Sequence, residues 1–308
     1  MSGGFESGTT TVTLRVHRFT PRPERERNRT RAGSPFARKN SPFGGDSTRR
    51  KPRGKQWVQE YTLPARPADT VLDCLLTIKR TIDPTLAFRY SCGHGMCGSD
   101  AVAINGTPTL LCTATIARWA RPDAPATDEE GFRRTDNDSD EHDDNAVSDG
   151  SLGVIELSAL PGFPVQRDLI ADIDPMLEQI KKLKPYLEAD GVLATTEDGT
   201  VDVFEYLQNP EQLAKYEVLT NCIACGVCEG SCPVFAGGEA FIGPAALITA
   251  SRFINDSRDK SADARMDAID TADGIAACQS VRACTRECPR GIDVGEEIWQ
   301  LIAQIKER

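Results

Sequence analysis

The sequence predicts an α+β protein in two parts, residues 9–160 built around a small sheet and residues 161–308 built from helices. Two patterns carry this. In the first part apolar residues alternate with polar ones in short runs, the period of a half-buried strand; from Pro164 they recur at three- and four-residue spacing, the period of a helix face. A third observation subdivides the first part, because two stretches of opposite charge interrupt it. At 308 residues the chain is long enough for two separate cores.

Residues 10–19, TTVTLRVHRF, place Val12, Leu14 and Val16 on one side, which predicts a first strand. From Pro21 to Lys55 the composition changes to twelve Arg or Lys against three Asp or Glu, with almost nothing apolar. Such a stretch cannot bury enough to order itself, so it reads as a disordered insertion in a hairpin loop; the sharper alternative is a basic arm for an acidic partner or anionic lipid head groups. WVQEYTLPA, 57–65, resumes the alternation at Trp57, Tyr61 and Leu63 and is expected to pair with the first strand. Thr70 and Asp73 form a capping box for a helix whose face is Val71, Cys74, Leu75 and Ile78. Cys74 is therefore expected in the core.

The run FRYSCGHGMCGSDAVAINGTPTLLC, 88–112, has Cys92-x4-Cys97 and, further on, Cys112. Plant-type [2Fe–2S] proteins use C-x4-C-x2-C and a distant fourth cysteine, but here the third position is Asp100. Spacing alone leaves Asp100 either a solvent-facing carboxylate or an oxygen ligand. Gly93, Gly95 and Gly98 suit a loop whose backbone N–H groups come close to sulfur. His94 has no second histidine nearby, as a Rieske site would need, and is expected to be exposed. Residues 121–150 then carry eleven Asp or Glu against three Arg and read as a disordered acidic insertion. SLGVIELSAL, 151–160, is a final strand.

In the second part RDLIADIDPMLEQIKKL opens acidic and ends in lysines, as a helix dipole favours. Gly243-Pro244 marks a helix start, and Ile298, Leu301, Ile302 and Ile305 form an apolar stripe read as packing. Between these lies the strongest signal in the chain. Cys222-x2-Cys225-x2-Cys228-x3-Cys232-Pro233 has bacterial-ferredoxin spacing, in which three thiolates hold one cluster and the fourth reaches to another. Its partner run, Cys278-x5-Cys284-x3-Cys288-Pro289, has Val281 in the slot of the missing cysteine. Counting the cross-ligation gives Cys222, Cys225, Cys228 and Cys288 for a [4Fe–4S] cluster and leaves Cys232, Cys278 and Cys284 for a [3Fe–4S] cluster. Structural zinc is the competing reading, but zinc takes four ligands per site and these seven cysteines divide as four and three.

The net charge of −10 argues against a general grip on nucleic acid. No run approaches the roughly 20 apolar residues of a membrane span, and the N-terminal sequence lacks the order of a secretory signal. Eleven cysteines in cluster spacing point to reduced thiolates rather than disulfides. The 26 Arg against 10 Lys fit either a halophilic origin or a GC-rich genome.

The order of the three cysteine sets resembles the iron–sulfur subunits of succinate dehydrogenase and fumarate reductase. RYSCGHGMCGSD, LPGFPVQRDL at 160–169, EYLQNPEQ at 205–212, FIGPAALITASRF and NDSRD at 255–259 support it. The resemblance implies a β-grasp ferredoxin-like domain followed by an α-helical ferredoxin domain, with Cys92, Cys97, Asp100 and Cys112 as the [2Fe–2S] ligands. It also implies partners: a flavoprotein subunit bearing FAD, which holds the dicarboxylate site, a membrane anchor, and a quinone as acceptor, with the chain peripheral on the cytoplasmic face. Ubiquinone-linked members carry tryptophan shortly after the first Cys-Pro and histidine after the cysteine that opens the second run. This chain has Val234-Phe235-Ala236-Gly237 and Gln279 there, which is closer to menaquinone-linked fumarate reductases and puts Pro233, Gln279 and Val281 near the quinone. A soluble thiol-dependent fumarate reductase would need further cysteine motifs, and none is present.

Overall fold

A computed structural model describes residues 10–22, 54–122, 150–189, 198 and 208–308. The first strand, β1 (Thr11–Pro21), pairs antiparallel with β2 (Gly54–Pro64), setting Val12 opposite Leu63 and Leu14 opposite Tyr61. Helix α1 (Val71–Thr81) starts at the Thr70–Asp73 capping box and buries Val71, Cys74, Leu75 and Ile78. Strands β3 (Ala101–Ile104) and β4 (Thr107–Leu110) form a hairpin, followed by the single turn α2 (Ile116–Trp119). Strand β5 (Ser151–Ser158) inserts parallel to β1, so the sheet runs β2-β1-β5-β3-β4. Val12, Leu14, Val16, Ile155 and Leu157 meet the face of α1 in one core. Each such fully buried side chain contributes about 1.5–3 kcal/mol relative to exposure.

The hairpin ladder runs to the pair Pro21–Gly54, so the two strands extend into the ends of the stretch expected to be an insertion. Arg121 likewise exchanges backbone hydrogen bonds with Val154, at 3.0 and 2.8 Å. Residues 23–53 and 123–149 of the two charged stretches lie outside the described residues.

The helical pattern expected from Pro164 does not start there. Residues 165–171 form a ribbon, β6 (Val165–Arg167) and β7 (Ile170–Ala171), and the helix α3 (Asp174–Lys182) follows it. Tertiary bonds to Asp168 override the local pattern. Asp168 sits in the ribbon turn with φ +46° and is 1% exposed. Its carboxylate accepts from the N–H groups of Phe19 (3.1 Å) and Ala87 (2.9 Å) and lies 2.9 Å from Arg18 Nε, close but not aligned as a hydrogen bond. Arg18 is itself buried and donates to Tyr61 Oη and Asp83 Oδ2, both at 2.7 Å.

After the ribbon, the regular elements among the described residues of the second part are all helical. Single turns α4 (Pro210–Ala214), α5 (Val227–Ser231) and α6 (Pro233–Ala236) lead to α7 (Pro244–Ile254), and α8 (Ala262–Ile269), the turn α9 (Ala283–Arg286) and α10 (Val294–Glu307) complete it. Leu247 and Ile248 of α7 pack with Ile298 and Leu301 of α10 in a second core; Ile302 and Ile305 are half-buried against it. Buried Arg265 pairs with Asp259 at 2.9 Å and donates to the carbonyls of Leu183, Lys184 and Tyr186, tying α8 to the end of α3. Among the described residues no helix is long and apolar enough to cross a membrane.

The Arg18 cluster makes a stability prediction. Replacing Arg18 by Met leaves Asp168 buried without its counter-charge and is expected to cost about 3–5 kcal/mol in urea unfolding. Burial pushes the Asp83 carboxyl up, but hydrogen bonds from Thr85, Tyr61 and Arg18 outweigh it and hold the group well below the usual carboxylate range. Its contribution is therefore present above a pH of about 4 and lost as the pH falls below that. Asp83→Asn should accordingly lose stability at neutral pH, and the gap to the parent should narrow on acidification.

Candidate metal centres

The loop from Tyr90 to Asp100 turns on itself at Gly93 (φ +73°), Gly95 (φ +77°) and Gly98 (φ +65°) and aims backbone N–H groups at sulfur. Met96 N donates to Cys92 Sγ at 3.3 Å, His94 N to the same sulfur at 3.5 Å, and Gly95 N to Cys112 Sγ at 3.2 Å. Hydrogen bonds of this kind stabilise a thiolate. The Cys92 thiol is lowered to about 7, with the His94 and Met96 amides as main causes. Cys112 goes the other way, up to about 12, through burial and then through Asp100. His94 is exposed and Cys74 is buried in the first core, as the sequence suggests.

Asp100 is not solvent-facing. It is 2% exposed, and Oδ2 accepts the Cys112 N–H at 2.7 Å while Oδ1 is buried with no hydrogen-bond partner. An orphaned carboxylate oxygen against Cys112, beside a loop that also carries Cys92 and Cys97, is donor chemistry that suits iron, although among the described residues no three such side chains stand close enough to hold a single metal ion.

The seven remaining cysteines fall into two groups. Cys222, Cys225, Cys228 and Cys288 line a single cavity whose other walls include Ala245, Ile248, Ile292 and Val294. Burial pushes the Cys222 thiol up, Cys225 up to about 12 and Cys228 well above the usual range. Backbone amides oppose this: Ala224 N–H at Cys222 and Val227 N–H, at the start of α5, at Cys225. Cys232, Cys278 and Cys284 form the other group, each raised mainly by burial where a shift is resolved, with Cys278 acting on both Cys232 and Cys284. The amides of Val234 and Phe235, opening α6, face Cys232, and that of Thr285 faces Cys284. The chemistry of both donor sets fits iron–sulfur clusters: soft sulfur throughout, apolar walls around the four-thiol group, and N–H donors at Cys222, Cys225, Cys232 and Cys284.

Val281 lies in the loop between Cys278 and Cys284, flanked by Ser280 (φ +55°) and Arg282 (φ +60°), and is 50% exposed. Pro233 and Gln279 are exposed as well, each next in chain to a cysteine of the three-thiol group. Sequence reasoning missed three neighbours. Glu229 is fully buried, its carboxyl raised by burial, accepting from Ala245 N at 2.7 Å and from Cys228 Sγ at 3.0 Å. Trp299 donates its indole N–H to Ser280 Oγ at 2.9 Å and lies under Arg282. Arg290, directly after Cys288-Pro289, reaches the first cysteine loop; its place in the motif was the available signal.

Comparison with known proteins agrees with this geometry. A family profile described as a 2Fe-2S iron-sulfur cluster binding domain matches residues 13–178, and one described as a 4Fe-4S dicluster domain matches 218–292. The chain is 33% identical to a fumarate reductase iron-sulfur subunit from Mycobacterium tuberculosis over 76% of its own length and 80% of that protein. It is 30% identical to the Escherichia coli subunit of the same name over 80% of this chain and 89% of that one. In fold it is similar to a chain of the Mycobacterium smegmatis Sdh1 complex in the apo form, with a TM-score of 0.66, 22% identity and 97% of both chains covered.

The opposite shifts of Cys92 and Cys112 make a test in metal-free protein. At pH 8 iodoacetamide should label Cys92 well before Cys112, and lowering the pH below about 7 should slow the Cys92 reaction as its thiolate is lost. Peptide mass spectrometry over time reads both.

Proposed function

We infer the function from family: the chain belongs to the iron–sulfur subunits of succinate dehydrogenase and fumarate reductase. It passes electrons one at a time between a flavoprotein partner bearing FAD and a membrane quinone, through a [2Fe–2S], a [4Fe–4S] and a [3Fe–4S] cluster. The observation that supports this reading is one cavity lined by Cys222, Cys225, Cys228 and Cys288, with Cys232 and Cys278 both acting on Cys284 and buried Asp100 accepting from Cys112 N. When bound, such clusters supply one-electron storage between two-electron partners.

The chain's own residues do the rest. Cys92, Cys97, Cys112 and Asp100 hold the first site, Cys222, Cys225, Cys228 and Cys288 the second, and Cys232, Cys278 and Cys284 the third. The amides of Gly95, Val227 and Phe235 offset the negative charge of the sulfurs, and Ile248, Ile292 and Val294 keep water from the second site. Val281 has no lone pair to give, so Cys232, Cys278 and Cys284 would be the sulfur ligands of the third site, and one thiolate fewer would give a bound cluster a higher potential. The exposure of Pro233, Gln279 and Val281 supports their place beside a quinone, and the absent tryptophan and histidine favour menaquinone.

The sheet order, with α1 packed across one face, supports the β-grasp reading of the first part, and the two cores support a division near residue 160. The dicarboxylate site belongs to the flavoprotein partner, and a membrane anchor holds the assembly at the cytoplasmic face. Succinate oxidation is the forward reading. The names of the curated relatives favour fumarate reduction as the second, along the same route in reverse.

Low-temperature EPR of the purified complex during a redox titration should give three distinct centres; fewer would overturn the assignment. Val281→Cys supplies the missing sulfur, and the three-iron signal should give way to a four-iron one of lower potential. Turnover should be faster with menaquinone than with ubiquinone, and the reverse would sink the quinone reading.

A further inference from the structure

Arg290 stands on the border between two of the sulfur sites. Its side chain lines the cavity of Cys222, Cys225, Cys228 and Cys288. Nη1 reaches Met96 Sδ at 3.1 Å, and Nε donates to the carbonyl of Asn221, the residue before Cys222, at 3.3 Å. Met96 lies between Cys92 and Cys97, and its own N–H is the donor to Cys92 Sγ. One guanidinium therefore touches the scaffolds of both sites, which are 194 residues apart in sequence at this contact. Among the described residues no carboxylate pairs with it, so its charge is not cancelled locally. The two loops also meet at Gly98, where a Cβ would stand 2.6 Å from Cys225 Cβ, so the two sulfur sites approach each other closely there.

We propose that Arg290 is a positioning residue that sets how an electron divides between the first two sites. A guanidinium carries a permanent positive charge. At the wall of an apolar cavity that charge favours the more negative, reduced state of whatever the four thiolates hold, and it does so more strongly there than at the first site, which it reaches only through Met96. The inference rests on the assignment of those four thiolates to a [4Fe–4S] cluster.

The test is a mediated redox titration of the intact complex, read by low-temperature EPR, on the parent, Arg290→Gln, Arg290→Lys and Met96→Leu. Arg290→Gln should shift the electron about tenfold toward the [2Fe–2S] centre, a drop of about 59 mV in the one-electron midpoint of the [4Fe–4S] centre. Arg290→Lys, which keeps the charge, should recover most of this, and Met96→Leu should leave the [4Fe–4S] midpoint in place. An unchanged midpoint in Arg290→Gln, or an equal drop in Arg290→Lys, overturns the proposal. Where Arg290→Gln loses the centre, Arg290→Met repeats the test, and loss in both makes Arg290 structural and also overturns it. A parent complex without a [4Fe–4S] signal would instead bring down the assignment beneath it.

Discussion

Negative charge must be kept on sulfur where there is little water, and the second part of this fold is arranged around that requirement. Burial alone drives Cys222, Cys225, Cys228, Cys232 and Cys284 toward the neutral thiol. The counterweight is backbone N–H, delivered where a helix begins and its first amides have no internal partner. This explains why α5, α6 and α9 exist although each is only four or five residues, far below the length at which a helix is stable by itself. They are turns that present amides. The same need accounts for Ala224, Ser280 and Arg282 at positive φ, a conformation that costs non-glycine residues of order 1 kcal/mol or more each and is tolerated where the surroundings fix it.

Holding the first cysteine loop is a different problem, because it has no helix to brace it. The bracing comes from afar. Asp168 takes the Ala87 N–H, Leu169 donates to the Ala87 carbonyl, and Arg89 donates to the Ala171 carbonyl, so the β6–β7 ribbon splints the chain that enters the loop. Arg18, through Asp83 and Asp168, ties that splint to the centre of the sheet. On the far side Gly98 lies against Cys225, with no room for a side chain. The spacing between the first two sites is thus set from both ends, by a buried charge cluster on one side and a glycine contact on the other.

What could be read from the sequence, and what could not, follows the range of the interactions. Val12, Leu14 and Val16, the Thr70–Asp73 box and Gly243-Pro244 act within a few residues of themselves, so their pattern is local and legible. The cysteine spacing is legible for the same reason, since most of each group comes from one short run. The ribbon at 165–171 was not: Asp168, with Asp172 and Asp174 after it, read as a helix start because nothing local says that Asp168 will find Arg18, Phe19 and Ala87. Nor does spacing decide whether a carboxylate such as Asp100 faces solvent. That depends on the β3–β4 hairpin bringing Cys112 back against it. Glu229 is the same case, an acid whose partner amide belongs to Ala245 in another helix.

The interleaving of the two cysteine runs has an energetic consequence of its own. Cys288 joins the group built mostly from the first run, and Cys232 joins the one built mostly from the second. Each group therefore closes the same segment, the α7–α8 pair between the runs, and neither can be completed unless that segment is folded. Loop closure on this scale costs several kcal/mol of chain entropy, a cost that grows only slowly with length. Once one group has closed the segment, the second forms with most of that cost already met. The helical part should thus fold as one unit with its metal, because binding free energy at sites absent from the unfolded chain is folding free energy. The first part has a sheet of its own, but its core takes in Val227 and packs against Ile223 and Cys225, so closing the first cysteine run also finishes that core.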